Sequence, residues 1–205
     1  MKNRLLWGMI LGGMMIQCHL AQAGIISIDP LTQTVGLGSS INVRVQISGL
    51  GAFSAPSLGA YDLNVSFNPL LLQFLGATLG DPILGDQLDL LGLGSIQSVT
   101  PSAGSVGLFE LSLDSIDDLS NLQSSSFVLG TLSFQTIGLG TSSINIGVNA
   151  LSDAYGDALT SGIQNGSVIV NASAVPEPNS VLLVGSLAGV LVLGRGFRQR
   201  MRGRT

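Results

Sequence analysis

The chain has 205 residues; 45% of them are hydrophobic, only 10% are charged, and the formal net charge is −4. Its single cysteine and single histidine, Cys18 and His19, both lie within the first 23 residues. Between positions 24 and 174, Arg44 is the one basic residue against eleven acidic residues, a net charge of −10, so nucleic acid and other anionic polymers are repelled from this region.

The first 23 residues are typical of a secretory signal peptide. Lys2 and Arg4 precede the apolar stretch 5–16, and the small residues Ala21 and Ala23 stand where a signal peptidase cuts. We therefore expect cleavage after Ala23 and export of the remaining chain. The exported domain begins at residue 24.

Removal of residues 1–23 leaves an exported chain without cysteine, histidine, tryptophan or lysine. A Ser-His-Asp triad, a thiol nucleophile and a histidine-ligated metal site are then excluded. A pair of carboxylates, as in glycosidases, is the one common catalytic arrangement that remains, and we expect a protein that is not an enzyme. Residues 24–174 are long enough for one domain with a sizeable core and no disulfide.

Short segments of alternating polarity follow, and each predicts a strand with one buried face. Residues 41–47 place isoleucine or valine at every second position, and residues 61–67 alternate in the same way. Residues 71–78 are more uniformly apolar, so we expect a strand that is buried on both sides. Residues 80–94, which are rich in glycine, aspartate and leucine, predict a long loop with room for one helical turn.

The second half of the domain continues this pattern. Residues 105–113 alternate, with Phe109, Leu111 and Leu113 on one side, and residues 117–122 predict a short helix. Further strands are predicted at residues 127–135, 143–148 and 167–170, with a tight hairpin at residues 154–159. About nine short strands, with no long helical period before the tail, indicate an all-β fold of the β-sandwich type.

Aspartates gather in the predicted loops, and carboxylate oxygens are the ligands that calcium prefers. None of these groups has the spacing of a twelve-residue EF-hand loop, and solvated loop carboxylates are the alternative interpretation. Asp153 and Asp157 are explained by turn chemistry. The candidate ligand or calcium contacts are Asp81, Asp86, Asp89, Asp114, Asp117, Asp118 and Tyr155.

Two tyrosines are the aromatic residues that could stack on a sugar ring. Tyr61 is in phase with Leu63 and Val65, so we expect it in the core. Tyr155 lies in the hairpin turn, where its ring is expected to be exposed. So few aromatic rings disfavour a flat cellulose-binding platform, but a sugar site formed by Tyr155 and polar loop residues stays open.

The last 31 residues have three parts. Val175, Pro176, Glu177 and Pro178 form a short motif, residues 179–194 predict a transmembrane helix, and residues 195–205 are basic. The helix is about 24 Å long, a little short of the ~30 Å hydrocarbon core, and spans it if the bilayer thins locally. The arginines that hold the C-terminus in the cytoplasm are Arg195, Arg198, Arg200, Arg202 and Arg204.

This order of motif, apolar helix and basic cluster resembles the PEP-CTERM sorting signal of Gram-negative bacteria. The resemblance covers residues 175–205 and implies processing by an exosortase, a membrane transpeptidase. It also implies a precursor anchored in the inner membrane, followed by transfer to the cell surface or extracellular matrix. A plain membrane anchor is the alternative.

A second resemblance lies in the domain itself. Residues 58–69 (LGAYDLNVSFNP), residues 71–74 (LLQF) and residues 129–134 (LGTLSF) are similar to strands of cohesin domains. The similarity extends over residues 25–170 and implies a jelly-roll β-sandwich related in fold to cellulose-binding modules. Cohesins bind dockerins through one sheet face, but the resemblance assigns no residue of this chain to such an interface.

The sequence therefore predicts an exported, non-catalytic binding module without a resident cofactor, associated with exopolysaccharide or another surface protein. A carbohydrate-binding module is the first alternative, and a self-associating matrix protein is the second. A glycosidase is the third, and it requires a cleft with two carboxyl groups about 5 to 10 Å apart.

Overall fold

The computed structural model describes residues 24–83 and 85–172. The predicted signal peptide, sorting motif, membrane helix and basic tail lie outside these residues. Within them, eleven strands and one short helix form two sheets that pack as a sandwich, which confirms the predicted all-β fold. No helix in this part of the chain is long and apolar enough to cross a bilayer.

Five strands form the first sheet. They are β1 (Gly24–Asp29), β3 (Ser40–Ser48), β5 (Leu72–Leu79), β8 (Ser126–Thr136) and β10 (Ser161–Gln164). Their order across the sheet is β10-β1-β3-β8-β5, so that β3 and β8 are central and β5 is an edge.

Six strands form the second sheet. They are β2 (Thr32–Gly36), β4 (Leu58–Ser66), β6 (Ser95–Ser102), β7 (Ser105–Ser112), β9 (Gly140–Asp153) and β11 (Gly166–Asn171). Their order is β2-β11-β9-β4-β7-β6, which places β6 at the edge beside β7. The sequence did not indicate β1, β2, β6 or β10.

The core follows from the alternation along central strands. In β3 the four isoleucines and valines of residues 41–47 are at most 6% exposed, whereas Arg44 between them points to solvent. Burying each such side chain contributes roughly 1.5–3 kcal/mol. Phe67 after β4 packs edge-to-face on Phe134 of β8, with ring centroids 4.9 Å apart, and this contact joins the two sheets.

The two ends of the domain are interlocked. Strand β1 pairs in parallel with β10 in the first sheet, and β2 pairs in parallel with β11 in the second. Only Pro30 and Leu31 separate β1 from β2, so the first segment of the domain crosses from one sheet to the other. The last strand, β11, lies between β2 and the antiparallel strand β9.

The prediction that residues 71–78 are buried on both sides is wrong. Strand β5 lies at the edge of its sheet, where Gln73 and Thr78 are exposed and Leu75 is 52% exposed. A bulge between Phe74 and Gly76 places Leu75 outside the ladder with β8. Local apolarity does not reveal that a strand has only one neighbour.

Residues 80–94 form a loop, as predicted, but no helical turn occurs among its described residues. Gly80, Gly85 and Gly92 all have positive φ, at 72°, 86° and 67°, which right-handed helix does not permit. The short helix is where the sequence placed it: α1 spans Ile116–Leu122. The Ser115 hydroxyl caps it by accepting from the backbone N–H of Asp118 at 3.1 Å.

Candidate functional site

The outer surface of the second sheet faces solvent, yet it carries apolar side chains. Phe109, Leu111 and Leu113 do share one side, but that side faces outward, and Leu111 is 38% exposed. Strand pairing aligns Leu111 with Ala60 of β4 on one side and Ile96 of β6 on the other. We call the surface formed by Ala60, Ile96, Phe109, Leu111 and Ala150 the apolar outer face.

This apolar outer face is almost free of charge. Asp62, which lies opposite Phe109, is the one charged side chain within the outward positions of β4, β6, β7 and β9. Asp153 lies at the very end of β9. The Asn149 amide donates to the Asp62 carboxylate at 3.1 Å. A flat, rigid and weakly charged surface of this kind is suited to contact with another macromolecule.

The inward side of β7 carries an unexpected acid. Glu110 is 0% exposed, in phase with the buried Val106 and Leu108. Its Oε1 accepts from the Ser95 hydroxyl at 2.6 Å and from the Gln97 amide at 2.8 Å. That same amide also donates to Asp86 Oδ2 at 3.0 Å, and the Asp86 side chain lies within hydrogen-bonding range of Glu110.

The buried hydroxyl of Tyr61 is hydrogen-bonded to Glu110. The Tyr61 hydroxyl lies 2.8 Å from the Leu129 carbonyl and 3.0 Å from Glu110 Oε2. The Tyr61 hydroxyl is the donor in both bonds, and it shares its one proton between the carbonyl oxygen and the carboxyl oxygen. Burial, followed by the hydrogen bond with Asp86, raises the pKa of Glu110 to about 7.

This carboxyl pair does not provide a hydrolytic site. Glu110 has no exposed surface, and it contacts Asp86 directly instead of facing it across a cleft wide enough for a sugar and water. What the pair does is attach the loop at Asp86 to the sheet at Glu110. Burial and Glu110 also raise the pKa of Tyr61, which stays protonated as a donor.

The candidate aspartates of the 80–94 loop bind the backbone of that loop. Asp81, Asp86 and Asp89 accept from the backbone N–H groups of Ile83 (2.8 Å), Leu88 (2.9 Å) and Gly94 (2.8 Å). Such bonds are the usual chemistry of aspartate in turns. Among the described residues, no group of three or more histidine, cysteine or acidic side chains is placed to hold a metal ion.

The candidate aspartates near α1 lie in different environments. Asp114 is only 9% exposed, and its Oδ2 accepts from Leu90 N–H at 2.6 Å, whereas Asp117 and Asp118 lie in the exposed first turn of α1. At the hairpin turn, Asp153 accepts from the N–H groups of Tyr155 and Asp157, each at 2.9 Å, as turn chemistry predicts.

The two tyrosines lie where the sequence predicted. Tyr61 is 1% exposed in the core, and Tyr155 is 65% exposed at the hairpin turn. Tyr155 stands apart from the clefts on the first sheet, which are lined instead by residues of β3, β8 and the 80–94 loop.

Comparison with solved structures bears on the fold. The sixth cohesin of scaffoldin B from Acetivibrio cellulolyticus, solved with the Cel5 dockerin, superposes with a TM-score of 0.57 at 18% identity, covering 73% of this chain and 100% of that chain. The seventh ScaB type I cohesin from Pseudobacteroides cellulosolvens gives 0.58 at 14% identity, with 76% and 97% covered. The chain has a cohesin-like fold. No family model and no curated protein sequence matches it.

The cohesin-like fold is not confined to cellulosomal proteins. A non-cellulosomal cohesin from the archaeon Archaeoglobus fulgidus superposes with a TM-score of 0.54 at 16% identity, covering 74% of this chain and 94% of that chain. At such low identities the likeness establishes the architecture alone. The partner of this cohesin-like domain has to be argued from its own surfaces.

Sequence reasoning missed Glu110 as a functional residue. The available signal was its position two residues after Leu108 and four after Val106, which places a carboxyl group on the inward side of β7. Tyr61 at an inward-facing position of β4 was a second signal, because a buried hydroxyl needs a hydrogen-bond partner. The carboxyl group of Asp86 was predicted as a ligand contact, but its link to Glu110 was not.

Proposed function

We propose that this chain is an exported, non-catalytic interaction module of the cell surface or extracellular matrix. Its cohesin-like domain binds another surface protein through the apolar outer face. The observation that carries the proposal is the row of Ile96, Leu111 and Ala60 across three strands of a rigid sheet. Several solved cohesins with this architecture, the sixth cohesin of scaffoldin B among them, are in complex with dockerins, which supports a protein-binding role for such a fold.

The composition of the apolar outer face supports a protein partner. The cores of protein interfaces are depleted of charge and enriched in large apolar side chains. Ile96 and Leu111 are 52% and 38% exposed, so a partner that covers them removes apolar area from water at roughly 25 cal/mol per Å². The acidic surroundings favour a partner whose rim is basic, because opposite charges speed the encounter.

A photoreactive amino acid at position 111 tests this proposal. When it replaces Leu111 in the producing cells, we expect a discrete protein adduct after irradiation. The same amino acid in place of Ser143, an exposed outward residue at the other end of the same sheet, is the control and should give at least about tenfold less adduct. Equal labelling at both positions, or no adduct at 111, would contradict a docking function for this face.

Self-association is the second candidate, and one observation favours it. Strand β6 is an edge strand of eight residues without a charged side chain, and such edges pair readily with another chain. An adduct at position 111 with twice the mass of the chain would support this candidate over a different surface protein.

We also propose that the tail delivers the domain to its place of action. The order of residues 175–178, 179–194 and 195–205 supports recognition by an exosortase, an inner-membrane precursor and release to the surface or matrix. Exopolysaccharide of that matrix is a further partner consistent with this destination.

Substitution of the sorting motif should trap the precursor. In a Pro176→Ala, Glu177→Ala, Pro178→Ala variant, we expect most of the protein to stay in the inner-membrane fraction at its uncut mass. Ser173→Ala, just before the motif, is the control and should be processed normally. Mass spectrometry of the C-terminus decides: normal cleavage of the triple variant would contradict recognition through the motif, and an uncut wild type would leave only a plain anchor.

A further inference from the structure

The outer surface of the first sheet contains a polar groove. It consists of two clefts of about 470 and 340 Å³, and both are lined by Arg44 of β3 and Asp81 of the 80–94 loop. Volumes of this size are in the range of small-ligand sites. Because the two clefts share these residues, the polar groove extends along both sides of the Arg44 side chain.

The floor of the polar groove is an ordered set of hydrogen-bonding groups. Arg44 Nη2 donates to Asp29 Oδ2, and the Gln46 amide donates to the same oxygen at 3.1 Å. Arg44 and Gln46 are two residues apart on β3, so both point outward at a spacing of about 7 Å. Asp29 balances the charge of Arg44, and the floor offers donors and acceptors without a net positive charge.

Two buried polar atoms line the second cleft without a hydrogen-bond partner among the described residues. They are the Thr131 hydroxyl, directly opposite Arg44 in the β3–β8 register, and Gln33 Oε1. Leaving such a group unsatisfied is unfavourable by about 1–3 kcal/mol, so a small shift of the neighbouring side chains that lets a ligand hydroxyl bond to it is favourable. Both atoms therefore favour a ligand with several hydroxyl groups.

The surroundings narrow the ligand further. Asp29 and Asp81 line the polar groove, and Arg44 is the one basic residue of the domain, so an anionic polymer is repelled. Apolar contact is also present: Phe127 lines the first cleft, and Ile83, 89% exposed, borders the second. Side chains that combine planar hydrogen-bonding groups with apolar contact match a sugar ring, which has hydroxyl edges and C–H faces.

We propose that the polar groove binds a neutral, uncharged sugar chain. The site lies on the sheet opposite to the apolar outer face and does not involve Tyr155. It is independent of the proposed protein docking, since substitutions on one sheet leave the other surface intact. A chain with both activities would connect a surface protein with a neutral polysaccharide.

Thr131→Val provides the test, because valine keeps the shape of threonine and removes the hydroxyl. The purified full-length chain is run in affinity gels that contain dextran, barley β-glucan or galactomannan, with alginate as the anionic probe. We expect at least one neutral polymer to retard the wild-type chain and alginate not to do so. In Thr131→Val the retardation constant should weaken by about tenfold, while the melting temperature is unchanged or higher.

Thr100→Val is the matched control, since Thr100 is an outward threonine on β6 of the other sheet and should bind as the wild type does. Gln46→Ala should also weaken binding. Weaker binding in both variants would mean that the sugar contacts the polar groove as a whole and not only the surroundings of Thr131. Retardation by no neutral polymer, equal binding of Thr131→Val and wild type, or binding of an extended peptide in place of sugar would each overturn the proposal. None of these results would bear on cross-linking at position 111.

Discussion

We expect the free energy of unfolding to fall as the pH rises from about 4.5 to about 7, because Glu110 loses its proton over this range. Its pKa is about 7 in the folded chain against 4.5 for an ordinary glutamate. The folded state therefore binds the proton more tightly, so the stabilisation is complete below pH 4.5 and is lost as the pH rises through 7. A shift of this size corresponds to a loss of about 3 kcal/mol, with a plateau at higher pH.

Urea unfolding of the wild type and of Glu110→Gln at several pH values measures this contribution. Glutamine keeps the size of the side chain and cannot lose a proton, so the difference between the two chains should be small at pH 4.5. It should grow to about 3 kcal/mol in favour of the variant above pH 7. Asn64→Ala, on the outward side of β4, should retain the wild-type pH dependence; a Glu110→Gln chain that retains it too would refute the assignment.

The second large effect is expected at Gln123, which is 1% exposed at the C-terminal end of α1. Its Oε1 accepts from the Leu58 N–H at 2.6 Å, and its amide donates to the Leu58 carbonyl at 3.0 Å and the Gln87 carbonyl at 2.9 Å. One side chain thus satisfies three backbone groups from β4 and the 80–94 loop. Gln123→Ala leaves those groups without partners and should destabilise the fold by about 3–5 kcal/mol.

Thermal or urea unfolding, monitored by circular dichroism, gives the measurement for Gln123→Ala. Gln135→Ala is a suitable control, because this more exposed amide donates one hydrogen bond, to the Gly38 carbonyl at 2.9 Å. We expect it to cost at most about 1 kcal/mol. Similar losses in both variants would mean that burial of the three backbone groups is unimportant.

The sequence predicted those parts of the fold that depend on neighbours along the chain. Residues 41–47 alternate so regularly that the buried side of β3 could be read directly, and the same holds for Tyr61, Leu63 and Val65. The short helix was likewise predicted at residues 117–122, and the structure places it at Ile116–Leu122. Local alternation is sufficient there because each central strand has one apolar and one polar side.

Strands β5 and β7 were harder because their environment depends on distant segments. Residues 71–78 look like a central strand, but only the sheet order shows that β5 has one neighbour. In β7 both sides carry apolar residues, and the buried side is the one with Glu110. An acid is tolerated there because Tyr61, Asp86 and Gln97, from three other segments, surround it.

The candidate sites were predictable only in part for the same reason. The aspartates of the 80–94 loop stood out in the sequence, yet their carboxylates satisfy nearby N–H groups. The polar groove combines β3, β8, the 80–94 loop and Gln33, which no local spacing connects. The apolar outer face likewise needs the register of β4, β6 and β7 before its row of side chains becomes visible.

The parallel pairing of β11 with β2 has a mechanical consequence. A pull applied to the chain after Asn171 runs along β11, whose hydrogen bonds to β2 and β9 lie across the direction of pull. Those bonds are loaded in shear and must yield together, whereas a strand peeled from its end loses them one at a time. A domain tethered through its C-terminal side in flowing water would therefore withstand tension through its last strand.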